Sequence, residues 1–409
     1  MRPVVSAETG FPPKQAEEPR CATIHHTPAF DPPHSRVSLA DMNAANRLKV
    51  GVLFGGRSAE QEISILSARN VIAALDPQRF EAVPVGITRS GRWIEQSAQR
   101  LLRDKGDPRF VQLSTDGTEF SLLARSGATA SRSQSRVDVI FPVLHGPQGE
   151  DGTVQGLLEL ADVPYVGAGV LGSAVGMDKD VMPPLLRDAG IPVAKFAVVR
   201  KHEYRRDSQA VLSFIESLGY PLFVKPANLG SSVGISKVLS RAQLPAALQA
   251  AFDYDRKVIV EERISGREIE CAVLGNDAPV ASSPGEIVVS HPDGFYSYDA
   301  KYIDEEGVSL QVPATIDEVT ARRIRQLSID TFRVLECSGL ARVDFFLTVD
   351  GNVFVNEINT LPGFTAMSMY PKLWAASGIA PRELVTRLLD LAMERHAQKR
   401  ALRSVCCVR

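Results

Sequence analysis

The stretch "LARVDFFLTVDGNVFVNEIN" (340–359) reads as two strands joined by a tight turn. Asp350-Gly351 is a strong hairpin signal, because both residues tolerate the positive φ of a two-residue type I′ turn. That turn makes Val349 face Asn352, sets Asp344 opposite Glu357 and sets Arg342 opposite Asn359. Residues two apart on a strand share a face. Arg342 and Asp344 therefore lie on one face, matched by Glu357 and Asn359 across the ladder. Opposed Cβ atoms sit roughly 4.5–5.5 Å apart, and like charges there repel. Two facing carboxylates need a shared proton or a cation. With the Asn359 amide beside them they make an oxygen-only set, which suits Mg²⁺. The alternative is a solvated hairpin face on which the nearby Arg342 serves as partner.

Working outward, other stretches suit a phosphate. In "LFVKPANLGSSVGISKV" (222–238), Lys225 ends a strand and a glycine-bracketed loop, Gly230 to Gly234, follows. Such a loop lets backbone N–H groups approach an anion. It is not a P-loop, since the lysine precedes the glycines; a plain turn between strands is the other reading. "KVIVEERISG" (257–266) sets Glu261 and Glu262 at a strand exit, where they either meet an adenine edge or simply face water. "HGPQGEDGTVQG" (145–156) gathers His145, Glu150 and Asp151 among glycines, as an acid-capped turn or as acids at the positive end of the next helix.

The 409 residues predict two or three domains, 44% hydrophobic and 23% charged, with a net charge of −2. That balance argues against nucleic acid or a membrane surface as the main partner. No apolar run approaches the ~20 residues of a membrane span. Five scattered or terminal cysteines show no metal spacing and fit a reducing compartment. Residues 1–46 carry seven prolines without hydrophobic periodicity and predict a disordered extension, with Met42 as a second possible start. His25-His26 there reads as solvated rather than metal-binding, and 401–409 as a frayed tail.

Three units follow. Residues 47–167 alternate strands ("LKVGVLFGG", "FEAVPVGI", "VDVIFPVLHG") with helices, the pattern of an α/β parallel sheet of Rossmann-like kind. Ser58 and Gln61 have capping-box spacing for the first helix, and 114–136 reads as a surface excursion. Residues 168–264 run strand, glycine loop, strand, helix, strand, an α+β arrangement. Residues 265–400 hold "GREIECAVLG", the tyrosine-rich "GFYSYDAKYID", a long helix near 317–337, the hairpin and a C-terminal helix.

Together "FGGRSAEQEIS", "HGPQGEDG", "MDKD", "FVKPANLGSSVG", "VIVEERISGREIECAVLG", "YDAKYID", "ARVDFF" and "NEINTLPGFTAMSMYPKLW" resemble the D-alanine–D-alanine ligases of the ATP-grasp superfamily, over 47–398. The resemblance implies a three-domain ATP-grasp architecture, with ATP held between the central and C-terminal domains. It implies ligation of two D-alanines through an acyl phosphate for peptidoglycan precursors, hence cell-wall biogenesis and cell shape, in the cytoplasm and as a homodimer. By motif, Asp344, Glu357 and Asn359 would bind two Mg²⁺ (or Mn²⁺) ions, while Lys179, Lys225 and Lys301 would contact ATP. Glu261, Glu262, Ile264 and Glu268 would line the adenine and ribose site. Glu62 would hold the first ammonium and join Ser231 and Tyr302 in a hydrogen-bonded triad. Arg342 and Gly363 would form an oxyanion hole, and Ser368 and Met369 would meet the second carboxylate. Residues 294–304 would close as a lid, the alternative being an aromatic hairpin packed on the core. A D-lactate or D-serine ligase is the alternative on the same fold, with the Lys301-Tyr302 pair favouring the dipeptide.

Two positions depart from the family pattern. Pro183-Pro184 follows "MDKDVM", so the next helix starts late or has a distorted first turn, which bears on Lys179. Gln61 stands where many relatives carry histidine. A non-catalytic nucleotide sensor would not need Arg342 and the facing acids. A nicotinamide dehydrogenase is excluded because "GVLFGG" lacks G-x-G-x-x-G.

Overall fold

The computed structural model describes residues 47–58, 60–103, 113–122, 136–230, 233–289 and 308–402. The expected extension (1–46), Ser231, Lys301, Tyr302, the lid segment 294–304 and most of the tail lie outside these residues.

Four short-range patterns build the first sheet. β1 (Leu48–Gly55), β2 (Phe80–Ile87), β3 (Trp93–Glu95) and β4 (Val139–Pro142) lie in the order β3-β2-β1-β4, with β1 parallel to both β2 and β4. β1 reads as a continuous apolar run because it is covered on both faces. Helices α1 (Gln61–Ala74), α2 (Ala98–Arg103) and α3 (Thr153–Leu160) accompany it. The expected capping box is absent. α1 begins at Gln61 itself, and Gln61 donates its amide to the Gly56 and Ile87 carbonyls at the sheet's edge. Nor is 114–136 wholly an excursion: Glu119 bridges Ile94, while Phe120 and Leu122 are buried.

α4 (Val170–Met177) and α5 (Met182–Asp188) lead to the second sheet. Pro183 and Pro184 occupy the second and third positions of α5, where amides lack intrahelical partners, so the helix is undistorted by them. β5 (Phe196–Arg200) is followed by α6 (Lys201–Arg206) and α7 (Ser208–Glu216). β6 (Leu222–Pro226), β7 (Ser236–Val238), α8 (Leu244–Phe252) and β8 (Lys257–Glu262) complete an antiparallel sheet of order β5-β8-β6-β7 with its own core.

β9 (Gly266–Gly275), β10 (Val280–Ala281), β11 (Gly285–Val289), β12 (Val308–Gln311), β13 (Gly339–Thr348) and β14 (Val353–Asn359) form the third sheet, order β12-β11-β9-β13-β14, with β10 on β9. α9 (Glu318–Val334), capped by Asp317, covers the face of Ile269, Val343, Phe345 and Val355. α10 (Met369–Ala376) and α11 (Pro381–Ala401) share the other face with β1 and α1, so the first and third sheets have one continuous core. Among the described residues no helix is long and apolar enough to cross a membrane.

Candidate functional site

The hairpin departs from expectation twice, and the two departures cancel. Its loop has three residues, Val349 to Gly351, because Thr348 and not Val349 pairs with Asn352. Gly351 takes the left-handed conformation that such a loop needs (φ 78°). A bulge then falls between Asp344 and Phe345, whose partners are Glu357 and Val355. Asn356 is the extra residue, so Val353 and Val355 point into the core beside Ile358. The bulge restores the expected pairs: Arg342 faces Asn359 and Asp344 faces Glu357.

β9 adds an acid that sequence reasoning missed. Glu270 lies opposite Asp344 on the side away from Glu357, which sets three carboxylates in a row across the sheet. Arg342 binds two of them. Its Nε and Nη2 reach Asp344 at 2.7 Å each, and Nε lies 2.9 Å from Glu270. Those flanking carboxylates hold the buried guanidinium firmly protonated against desolvation. Asn359 Nδ2 donates to Asp344 at 3.0 Å. Glu270 was legible only as an acid two residues from Glu268 within an apolar strand.

α4 delivers the next group. A Cβ on its Gly172 would meet the Glu336 carbonyl at 2.7 Å, and one on Gly176 would crowd Ile358 and Thr360 at 3.1 Å. Gly172 lets the helix lie against the backbone that follows α9, and Gly176 lets it lie against the end of β14. The chain leaves α4 through Asp178, and Lys179 Nζ reaches to 3.5 Å from Glu357 while donating to the Leu229 carbonyl at 3.0 Å. Lys257, at the start of β8, clamps this turn: its Nζ is 2.6 and 2.7 Å from the Asp178 oxygens and 3.2 Å from Asp180. Lys179 thus bridges the third-sheet acids and the segment just after Lys225.

The second sheet divides its pair of glutamates. Lys225 and Glu261 form a largely buried ion pair at 2.5 Å. Glu262 takes the Lys195 amide at 2.8 Å instead, so the two neighbours face opposite ways. Ile264 is half-buried after β8, and Glu268 lies opposite Phe346 on β9. Glu62, on the first turn of α1, pairs with Arg89 at 2.9 Å; Ser231 and Tyr302 of its expected triad are outside the described residues.

The loop after β14 completes the site. A Cβ on Gly363 would lie 2.7 Å from Ser368 Oγ, and Ser368 Oγ accepts the Thr365 amide at 2.9 Å. The Met369 side chain is 4% exposed and belongs to the core, and the residue opens α10. Glu150 and His145 of the glycine-rich "HGPQGEDG" also attend this loop. Glu150 accepts the amides of Gly146 (2.8 Å) and Leu361 (3.3 Å), and desolvation pushes its carboxyl up to about 8. Burial lowers the His145 pKa.

Asp344, Glu357 and Asn359 present two carboxylates and an amide on one face, a donor set that fits Mg²⁺. Among the described residues no group of three or more His, Cys, Asp or Glu side chains is placed to hold a metal ion.

Comparison with known proteins bears on these positions. Family models described as D-ala D-ala ligase N-terminus and C-terminus match residues 49–168 and 185–390. A D-alanine–D-alanine ligase A of Chromobacterium violaceum is 51% identical over 88% of this chain and 99% of its own. That of Escherichia coli K12 is 48% identical over the same shares. Two solved structures superpose with TM-score 0.73 and 38% identity. They are the D-alanine-D-alanine ligase from Coxiella burnetii, covering 87% of this chain and 96% of that one, and the VanG D-Ala:D-Ser ligase from Enterococcus faecalis, covering 85% and 100%. Matched at both ends by these family models, and along nearly the whole of its relatives' length, the chain belongs to the D-alanine–D-alanine ligase family.

Proposed function

We propose that the chain is an ATP-dependent ligase that joins two D-alanines, releasing ADP and phosphate, for peptidoglycan precursors. The observation that carries this is the direct opposition of Asp344 and Glu357, with Lys179 3.5 Å from Glu357, in a chain of this family. Domains 47–167, 168–264 and 265–400 would each contribute a wall, each containing one of the three sheets, with ATP between the second and third. A cytoplasmic homodimer is the accompanying expectation.

Four charged groups of the site already have opposite partners: Lys179 with Glu357, Lys225 with Glu261, Arg342 with Asp344 and Glu270, Glu62 with Arg89. Substrate binding is then an exchange of partners. Lys179 and Lys225 turn from carboxylates to phosphate oxygens, which keeps both neutralised in a desolvated cleft. Asp344, Glu357 and Asn359 would hold Mg²⁺ (or Mn²⁺, two ions), which when bound supplies positive charge to the transferring phosphoryl group. Glu62 exchanges Arg89 for the ammonium of the first D-alanine. The carboxylate of that D-alanine takes the γ-phosphoryl group of ATP, and ADP leaves. The amine of the second D-alanine attacks the acyl carbon, loses a proton, and phosphate departs. Arg342 and the Gly363 N–H would face the oxyanion formed between these events. Ser368, with the Met369 N–H, would receive the second carboxylate. Ile264, Glu262 and Glu268 would line the nucleoside, while Ser231, Lys301 and Tyr302 would close over the phosphates.

The test is phosphate release from ATP with D-alanine, D-serine or D-lactate as sole added acceptor. D-alanine alone suffices if the reading is right. A strict requirement for D-lactate or D-serine overturns it in favour of the depsipeptide or mixed-dipeptide ligase.

A further inference from the structure

The loop that carries Gly363 and Ser368 belongs to the third sheet by sequence, yet its backbone is held from the first. Phe364 has neither its N–H nor its C=O in regular structure, and buried backbone groups of that kind need partners. Both partners come from α1. Ser67 Oγ accepts the Phe364 N–H at 3.1 Å, and Asn70 Nδ2 donates to the Phe364 carbonyl at 2.9 Å. The two side chains are three apart, hence neighbours on one helix face. Ser67 is fully buried, and its hydroxyl serves the loop and lies 3.5 Å from His145 Nε2. A buried serine and an asparagine are poor choices for a helix interior on propensity alone. Their reach across 297 and 294 residues to one peptide unit accounts for them. The Phe364 ring is fixed as well, edge-on to Phe141 at 5.6 Å. At the loop's other end, three residues before Phe364, Glu150 accepts the Leu361 N–H.

We propose that Ser67 and Asn70 are positioning residues for the ligation, a two-point clamp on Phe364 that aims the Gly363 N–H and the Ser368 hydroxyl. The proposal rests on the assignment of Gly363 and Ser368 made above. Glycine at 363 is conformationally free by itself, so its direction is set by what holds its neighbour. A donor misdirected by about 1 Å costs ~100-fold in rate.

Asn70→Asp is the sharp variant. It keeps the size, removes the N–H donor and sets an oxygen against the Phe364 carbonyl; Asn70 is exposed, so the fold tolerates it. Ser67→Ala is the companion. Backbone amide exchange of residues 361–368 is measured by mass spectrometry on the full chain, together with kcat and the KM values for ATP and D-alanine. Faster exchange confined to the loop, with kcat lowered ~10–100-fold and KM for ATP unchanged, is the expected result. Unchanged exchange overturns the clamp whatever turnover does. Faster exchange with unchanged kcat overturns the link to chemistry, and the assignment of Gly363 with it. Failure of the underlying site reading shows separately, as undiminished turnover in Glu357→Gln.

Discussion

Replacing Lys257 by methionine keeps the length of the stem and deletes the ammonium that holds the turn around Lys179. Lys257 and Asp178 are 17% and 18% exposed and are joined at 2.6 Å. Asp180, 3.2 Å away, is left with Arg200, itself 46% exposed. Breaking a fully buried pair costs about 3–5 kcal/mol, since the surviving charge stays desolvated. The residual exposure and the Arg200 partner put this case at the lower end, about 3 kcal/mol. A double-mutant cycle with Asp178→Asn, followed by urea unfolding, isolates the pair, and a coupling of about 2 kcal/mol is expected. Lys179 sits between the two aspartates. Once the turn is loosened its ammonium no longer holds station beside Glu357, and KM for ATP rises ~10-fold, the worth of one charge-assisted hydrogen bond. Coupling below about 0.5 kcal/mol, together with an unchanged KM for ATP, would falsify the reasoning.

Glu357→Gln preserves shape and removes one carboxylate of the facing pair; turnover should drop ~100-fold or more while circular dichroism stays native, and an active variant would sink the metal assignment. His145 carries a depressed pKa because burial disfavours its charged form. The unfolded chain therefore binds the proton more readily, so this contribution to stability is present above the ordinary imidazole pKa and is lost as pH falls below about 6.5. Urea midpoints at pH 7.5 and 5.5 should separate more in the parent than in His145→Asn; equal separations would contradict the assignment.

The hairpin shows how far local reading reaches. Asp350-Gly351 marked the turn, and the register counted from a two-residue turn paired Asp344 with Glu357, a pair the structure contains. The loop length was one residue longer than the dipeptide implies, and the bulge at Asn356 compensated. A trace of it stands in the sequence: Val353, Val355 and Ile358 are spaced two and then three apart, a break in strand period. Gln61 misled for a different reason. Spacing names a position, but the direction of its side chain is decided by packing, and Gln61 donates to the Gly56 carbonyl instead of closing a capping box. The first-turn prolines of α5 were harmless for a reason sequence can supply, the missing amide partners there.

Strand and helix positions, the parallel pairing of β1 with β2 and β4 and the family's motif order were written in the sequence, because period and turn chemistry act over a few residues. The partnerships that make a site were not. Lys179 meets Glu357, Lys257 clamps Asp178, Glu270 shares Arg342, and Ser67 and Asn70 hold Phe364 only in the folded chain. Contacts between residues tens to hundreds of positions apart depend on sheet order, on the close approach that Gly172 and Gly176 allow, and on which buried charges find each other. No local periodicity records those choices; the low-dielectric interior makes them, by penalising every charge and backbone group left without a partner.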